Sequence, residues 1–130
     1  MISKVKNIKI AQPNHRRLCD SGIFPKVILI DTVSFCNLSC SMCIHKQIKR
    51  KKQVMPWNIF TKIIDEIAYV DKSVRVWMVF FGEALLLKKK KPSIFDMIIY
   101  AKSKGLKDIV LNSNANLLDA ETGRELIKSG

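Results

Sequence analysis

Three cysteines in one short segment supply the strongest candidate chemistry of the chain. Cys36, Cys40 and Cys43 have the spacing C-x3-C-x2-C and follow an apolar stretch that is typical of a buried strand. Thiolates this close together can share one metal centre, and three of them leave one iron of a four-iron cluster open for a cofactor or substrate. An alternative interpretation adds His45 and gives a zinc site of the Cys3His type.

Two polar segments farther along the chain could complete a binding site. Gly82 and Glu83 follow a second apolar strand, and Asn112 and Ser113 follow a third. A glycine lets the backbone approach a ligand closely, and a carboxylate accepts hydrogen bonds from an ammonium group. The alternatives are a strand terminator with a solvated Glu83 and an ordinary turn at Asn112 and Ser113, because Asn and Ser favour turns.

Strand and helix patterns alternate along the chain, and this alternation predicts an α/β fold with a parallel sheet. Strands are predicted at residues 27–30, 74–81 and 109–111, with helices after Pro56, from Ser93 to Gly105 and after Asp119. The first strand is continuously apolar, which predicts burial on both faces. The first helix is expected to place Phe60, Ile63, Ile64 and Ile67 on one face. The second helix, which begins with an approximate capping box at Ser93 and Asp96, is expected to bury Ile94, Phe95, Ile98, Ile99 and Ala101. Since loops at the carboxyl ends of parallel strands share one edge, the cysteines and both polar segments should meet there.

The cysteine spacing resembles the signature of the radical S-adenosylmethionine (SAM) enzymes. In that family the three cysteines hold a [4Fe-4S] cluster, whose open iron binds the amino and carboxylate groups of SAM. The resemblance makes Cys36, Cys40 and Cys43 the metal ligands. Met42 occupies the place of an aromatic residue near the adenine, where a polarizable side chain could serve equally well or simply pack.

The second and third segments extend the resemblance. Gly82 and Glu83 match half of the family's Gly-Gly-Glu-Pro motif, which receives the amino group of SAM, whereas Phe81 and Ala84 depart from it. Asn112 and Ser113 resemble the polar strand end that holds the carboxylate or ribose of SAM. The implied reaction is reductive cleavage of SAM to methionine and a 5′-deoxyadenosyl radical, which abstracts hydrogen from an unknown substrate, such as a peptide.

Chain length sets the predicted extent of the fold. The family has a partial TIM-like (βα)6 barrel, and at roughly 30 residues for each βα unit this chain holds about three units. We therefore expect residues 1–25 to form an N-terminal extension and residues 26–130 a truncated radical SAM core, the N-terminal half of the barrel. The missing half would come from further chain or from a partner. The sequence run also resembles members that carry a C-terminal cysteine-rich (SPASM) domain, which is not seen here.

Composition limits the partners. The formal net charge is +12, from 23 Lys and Arg against 11 Asp and Glu. Lysines concentrate at residues 46–52 and 88–91, and such runs are usually solvated. An acidic electron donor such as flavodoxin or ferredoxin would fit this surface. Nucleic acid is not expected, because no aromatic residues interleave with the lysines; the alternative function is nevertheless a noncatalytic zinc- or cluster-binding module that contacts nucleic acid.

The remaining predictions concern location and the fourth cysteine. No apolar run approaches the roughly 18 residues of a membrane span, so no membrane contact is expected. The N-terminus lacks the continuous hydrophobic stretch of a secretion signal, and the protein is therefore predicted to be cytoplasmic, where thiols stay reduced. Cys19 has no companion nearby and is expected to be a buried or stray thiol.

Overall fold

Strands and helices alternate throughout the part of the chain that the computed structural model describes, residues 24–130. In order, the elements are β1 (Val27–Leu29), α1 (Trp57–Val70), β2 (Arg75–Trp77), α2 (Ile94–Ser103), β3 (Ile109–Val110) and α3 (Ala120–Ser129). Short 3-10 helices lie at Ile44–Gln47 and Ala84–Leu87. Cys19 and nearly all of the predicted N-terminal extension fall outside the described residues.

The three strands form one parallel sheet in the order β1-β2-β3. Val27 pairs with Arg75, and Val76 pairs with Ile109. The predicted α/β class with parallel strands is confirmed, whereas the strands are shorter than predicted. The extent of the barrel and the boundary of the core domain at residue 26 stay predictions.

Helix α1 forms because its apolar residues recur on one face. Phe60, Ile64 and Ile67 are buried at helical spacing, as predicted, and Pro56 caps the first turn. Helix α2 begins with the predicted capping box, in which Ser93 Oγ accepts from Asp96 N at 3.1 Å and Asp96 Oδ2 accepts from Ser93 N at 2.8 Å.

The buried face of α2 differs from the prediction. Ile99 is 51% exposed, and Phe95 is only partly buried. Ile94, Ile98 and Ala101 are buried as expected, and Met97, at the third residue from Ile94, completes their face. The fifth residue after Ile94 lies about 140° away around the helix, so Ile99 faces away from the core. The chain then leaves the helix through Gly105, whose φ of +91° is a left-handed conformation that glycine adopts without strain.

The prediction that β1 is buried on both faces was wrong. Val27 and Leu29 are 45% and 48% exposed, whereas Ile28 on the opposite face packs against the core. The register places Val27 beside Arg75 and Leu29 beside Trp77, so these four residues share the open face of the sheet. The core lies on the other face, where the sheet meets α1 and α2. In residues 24–130 we find no helix with the length and apolar character that a membrane crossing requires.

Candidate metal and cofactor site

The segment that carries the cysteines, residues 35–52, is a loop whose two ends are joined, and we call it the cysteine loop. At its base, Ser34 Oγ accepts from Gln53 N at 2.8 Å and lies 3.1 Å from the Lys51 carbonyl oxygen, to which it can donate. An antiparallel bridge between Val33 and Val54 continues the closure. The scaffold therefore fixes where the loop begins and ends, directly beyond β1.

Within the cysteine loop the three cysteines form no disulfide, and each is at least partly exposed. Cys36 is partly buried, and Cys40 and Cys43 are exposed. A backbone hydrogen bond of 3.2 Å from Cys43 N to Cys40 O forms a turn between the last two. Met42 is 91% exposed and so has no packing role; its predicted place beside an adenine stays a prediction. His45 Nε2 lies 3.2 Å from the Ser34 carbonyl oxygen, to which it can donate a hydrogen bond, so the zinc alternative would use the other ring nitrogen, Nδ1.

The cysteine loop carries the kind of ligand that an iron–sulfur cluster uses, although its side chains are not gathered around one point. In residues 24–130 no three His, Cys, Asp or Glu side chains are arranged closely enough to hold a metal ion. The donors themselves are three soft thiols beside a recess of about 240 Å³ that Cys36 helps to line. Cys36 Sγ also accepts from Leu38 N at 3.4 Å, and hydrogen bonds of this kind to sulfur are part of what tunes iron–sulfur sites. The residues therefore fit the group chemically.

Glu83 is buried and joins the loops that follow β2 and β3. It is 1% exposed, so the alternative of a solvated Glu83 is wrong. Its Oε1 accepts from Leu85 N at 2.9 Å and from Ser113 Oγ at 2.8 Å, and its Oε2 accepts from Asn114 N at 2.7 Å. A carboxylate has about four acceptor positions, so roughly one remains for a ligand. The proposed contact between Glu83 and an ammonium group stays a prediction.

Gly82 allows the end of β2 to lie directly against the end of β1. A Cβ added at this position would overlap the Val33 carbonyl oxygen and lie 2.8 Å from the Val33 carbonyl carbon. The next residue, Glu83, donates its backbone N–H to Phe35 O at 3.0 Å. Gly82 is therefore required by the approach of two backbones, whatever its role toward a ligand.

The loop after β3 reaches the cysteine loop through a residue that we did not predict. Ser113 is held by Glu83, and Asn112 is exposed. Asn114 Nδ2 lies 3.6 Å from Cys36 Sγ and donates to Asn37 Oδ1 at 3.0 Å. The polar run had indicated the right segment, but nothing in the sequence distinguishes one Asn of that run from another.

Asp31, at the carboxyl end of β1, was also missed. Its Oδ1 accepts from the backbone N–H groups of Phe80 and Phe81 at 3.2 and 3.3 Å, and its Oδ2 forms an ion pair with Arg50. Asp31 thus joins the end of β2 to the basic segment of the cysteine loop. The available signal was its position, since it is an acidic residue that follows the apolar run of the first strand.

The prediction that the lysines at residues 88–91 are solvated was wrong for Lys88. Its side chain is 18% exposed and donates to Leu117 O at 2.7 Å, Asp119 Oδ2 at 2.8 Å and Thr122 Oγ1 at 3.1 Å. The hydrogen bond from Lys88 holds the pKa of Asp119 well below its usual range. Only the three lysines at 89–91 are exposed as expected.

Comparison with known proteins supports the fold. No protein-family model matches the chain. It is 28% identical over 105 residues to the tungsten-containing aldehyde ferredoxin oxidoreductase cofactor-modifying protein of Pyrococcus furiosus, a match that covers 81% of this chain and 28% of that protein. The alternative of a nucleic-acid-binding zinc module receives no support from these comparisons.

Two solved structures of BtrN are similar to the described chain. The complex with AdoMet and 2-DOIA has a TM-score of 0.73 at 19% identity, over 82% of this chain and 43% of that one. An open conformation of BtrN has a TM-score of 0.70 at 18% identity, over 82% of this chain and 47% of that one. The chain thus spans less than half the length of each protein that it matches, and it shares the fold of the matched part of BtrN.

Proposed function

We propose that this chain is the N-terminal part of a radical SAM enzyme. Cys36, Cys40 and Cys43 would hold a [4Fe-4S] cluster beside a bound SAM. The observation that carries the proposal is the direct connection of three loops at one edge of the sheet. Asn114 contacts both Cys36 of the cysteine loop and Glu83 of the loop after β2, so the three predicted segments lie next to one another, which supports a shared site.

The comparisons support this proposal from two directions. BtrN, whose fold the chain shares, was crystallised with AdoMet, which is SAM. The similar Pyrococcus protein is named for the modification of an enzyme cofactor. Since the chain spans less than half of either protein, its substrate is also a matter of proposal; it is unknown, and a peptide is one candidate. So is the remaining half of the barrel, from further chain or a partner.

The residues of the site would have distinct roles. Gly82 and Glu83 would present the backbone and a carboxylate to the ammonium group of SAM. Asn112, exposed at the end of β3, would contact its carboxylate or ribose, and Met42 its adenine. Ser113 is already bonded to Glu83, so it would act by holding that carboxylate in place. When bound, the cluster would supply the electron that cleaves SAM to methionine and a 5′-deoxyadenosyl radical.

Anaerobic reconstitution with iron and sulfide tests the proposal. We expect about four iron and four sulfide ions per chain and, after reduction with dithionite, an electron paramagnetic resonance (EPR) signal that changes when SAM is added. Replacing Cys40 by Ser should remove one ligand and most of the cluster. Cys19→Ser is the matched control, because it removes a thiol that lies outside the motif, and it should load as the wild type does.

Two results would contradict the proposal. One is a wild-type chain that binds a single zinc ion and no sulfide. The other is equal loading of Cys40→Ser and wild type, because the cluster would then not depend on the motif. A cluster signal that is indifferent to SAM would support the metal site but show that SAM needs the missing half of the barrel.

A further inference from the structure

The side chain of Asn114 points an N–H group at the sulfur of Cys36. Its Nδ2 lies 3.6 Å from Cys36 Sγ, within the range of a hydrogen bond to sulfur, and 3.0 Å from Asn37 Oδ1. The other end of the amide fixes this orientation. Asn114 Oδ1 accepts from Asn116 N at 3.0 Å, and a flipped amide would bring two N–H donors face to face there.

The backbone around Asn114 is held equally firmly. Its own N–H is bonded to the buried Glu83 carboxylate at 2.7 Å, a charge-assisted hydrogen bond. The hydroxyl of Ser113 bonds to the same carboxylate and accepts from Ala115 N at 3.0 Å. Ala115 has a φ of +60°, a left-handed conformation that turns the chain sharply after Asn114. The amide is therefore placed against Cys36 by a network that begins at a buried anion.

A hydrogen-bond donor beside a cysteine that holds a cluster changes the reduction potential of that cluster. An added electron increases the negative charge on the sulfurs, and an N–H dipole aimed at one of them stabilises the reduced form more than the oxidised form. Cys36 has two such donors, Leu38 N at 3.4 Å and Asn114 Nδ2. Leu38 belongs to the same loop as the cysteines, whereas Asn114 comes from the loop after β3.

We propose that Asn114 is a positioning residue that raises the reduction potential of a cluster bound through Cys36. Glu83 would support it by holding the loop after β3. This inference rests on the proposed function, since it requires that Cys36 bind the cluster. It assigns to the loop after β3 a role toward the cluster in addition to any contact with SAM.

The test is an EPR-monitored redox titration of the reconstituted full chain, without SAM. For Asn114→Ala we expect the one-electron reduction equilibrium to move about tenfold toward the oxidised cluster, which corresponds to about 59 mV lower potential. Asn114→Asp keeps the acceptor for Asn116 N–H but replaces the donor by a negative charge, so its potential should be lower still. The matched control is Asn116→Ala, because Asn116 contributes its backbone N–H to this network and that group survives the substitution.

The outcomes separate this inference from the proposed function. Equal potentials for wild type, Asn114→Ala and Asn116→Ala would overturn the inference while leaving the cluster in place. A wild-type chain that forms no cluster would overturn the proposed function and the inference together. If Asn114→Ala loads too little iron to titrate, the contact between Asn114 and Cys36 is tested instead by comparing resonance Raman spectra of the wild type and Asn114→Asp. Loss of the N–H donor should raise the stretching frequency of an Fe–S bond to cysteine, and an unchanged spectrum would refute the contact.

Discussion

The same substitution at two glycines should change stability in opposite directions. At Gly82 an added methyl group would overlap the Val33 carbonyl oxygen and also lie 2.9 Å from Val33 Cγ1, so one of two packed backbone segments must move. Forcing an extra methyl group into a packed site costs about 1–3 kcal/mol. At Gly123, inside α3, an added Cβ meets no atom within 4 Å. Alanine there should stabilise the helix by about 0.5–1 kcal/mol.

Urea unfolding of the wild type, Gly82→Ala and Gly123→Ala measures both effects. The two variants should differ by about 1.5–4 kcal/mol in their free energies of unfolding, with the wild type between them and similar dependence on urea. A Gly82→Ala variant as stable as the wild type would refute the argument that two backbones meet at this residue. Measuring SAM binding by the folded Gly82→Ala variant is a separate test of the predicted role of Gly82 toward the ligand.

Three further predictions follow from other contacts. Glu83→Gln removes a charged acceptor that serves three donors, and it should lower the free energy of unfolding by about 1–3 kcal/mol. The control Glu66→Gln, on the exposed face of α1, should change the free energy of unfolding by less than about 0.5 kcal/mol. Equal urea midpoints for the two variants would contradict the bridging role of Glu83. Lys88 lowers the pKa of Asp119, so this pair stabilises the fold above the unfolded pKa of about 4 and loses its effect as the pH falls toward the lower folded pKa. Melting temperatures should therefore fall more steeply below pH 4 in the wild type than in Asp119→Asn, and parallel curves would refute the coupling. Reduction of the cluster by an acidic flavodoxin should slow as salt rises, because the exposed lysines at 89–91 would be screened; a rate independent of salt would exclude an electrostatic encounter.

The helices were predicted well because the sequence features that determine a helix lie within a few residues of one another. The capping box at Ser93 and Asp96 and the buried face of Phe60, Ile64 and Ile67 each depend on spacing along one helix. The error at Ile99 came from counting it with the core-facing residues of α2, while the buried Met97 was left out. Its angular position on the helix, five residues after Ile94, already indicated the exposed side.

The site was predicted at the level of segments and missed at the level of contacts. Parallel strands bring their carboxyl ends together, so the meeting of the three loops followed from the strand pattern. Which side chains touch depends on loop conformation, and neither the bond from Asn114 to Cys36 nor the ion pair of Asp31 with Arg50 has a local signature. The burial of Glu83 was missed for the same reason, since two of its three partners, Ser113 and Asn114, lie about 30 residues away.

The closure of the cysteine loop at Ser34 and Gln53 has a consequence for how this segment can evolve. A loop that is tied at its base transmits little of its own variation in length to the sheet, because the hydrogen bonds between Ser34 and Gln53 fix where it begins and ends. Doubling the length of such a flexible segment costs only about 0.6 kcal/mol of closure entropy. Insertions and deletions between the last cysteine and Gln53 should therefore accumulate among descendants of this gene faster than in the flanking β1 and α1. The stretch that holds residues 46–52 can lengthen, shorten or exchange its charges while the architecture beneath it stays the same, except at Arg50, whose charge pairs with Asp31.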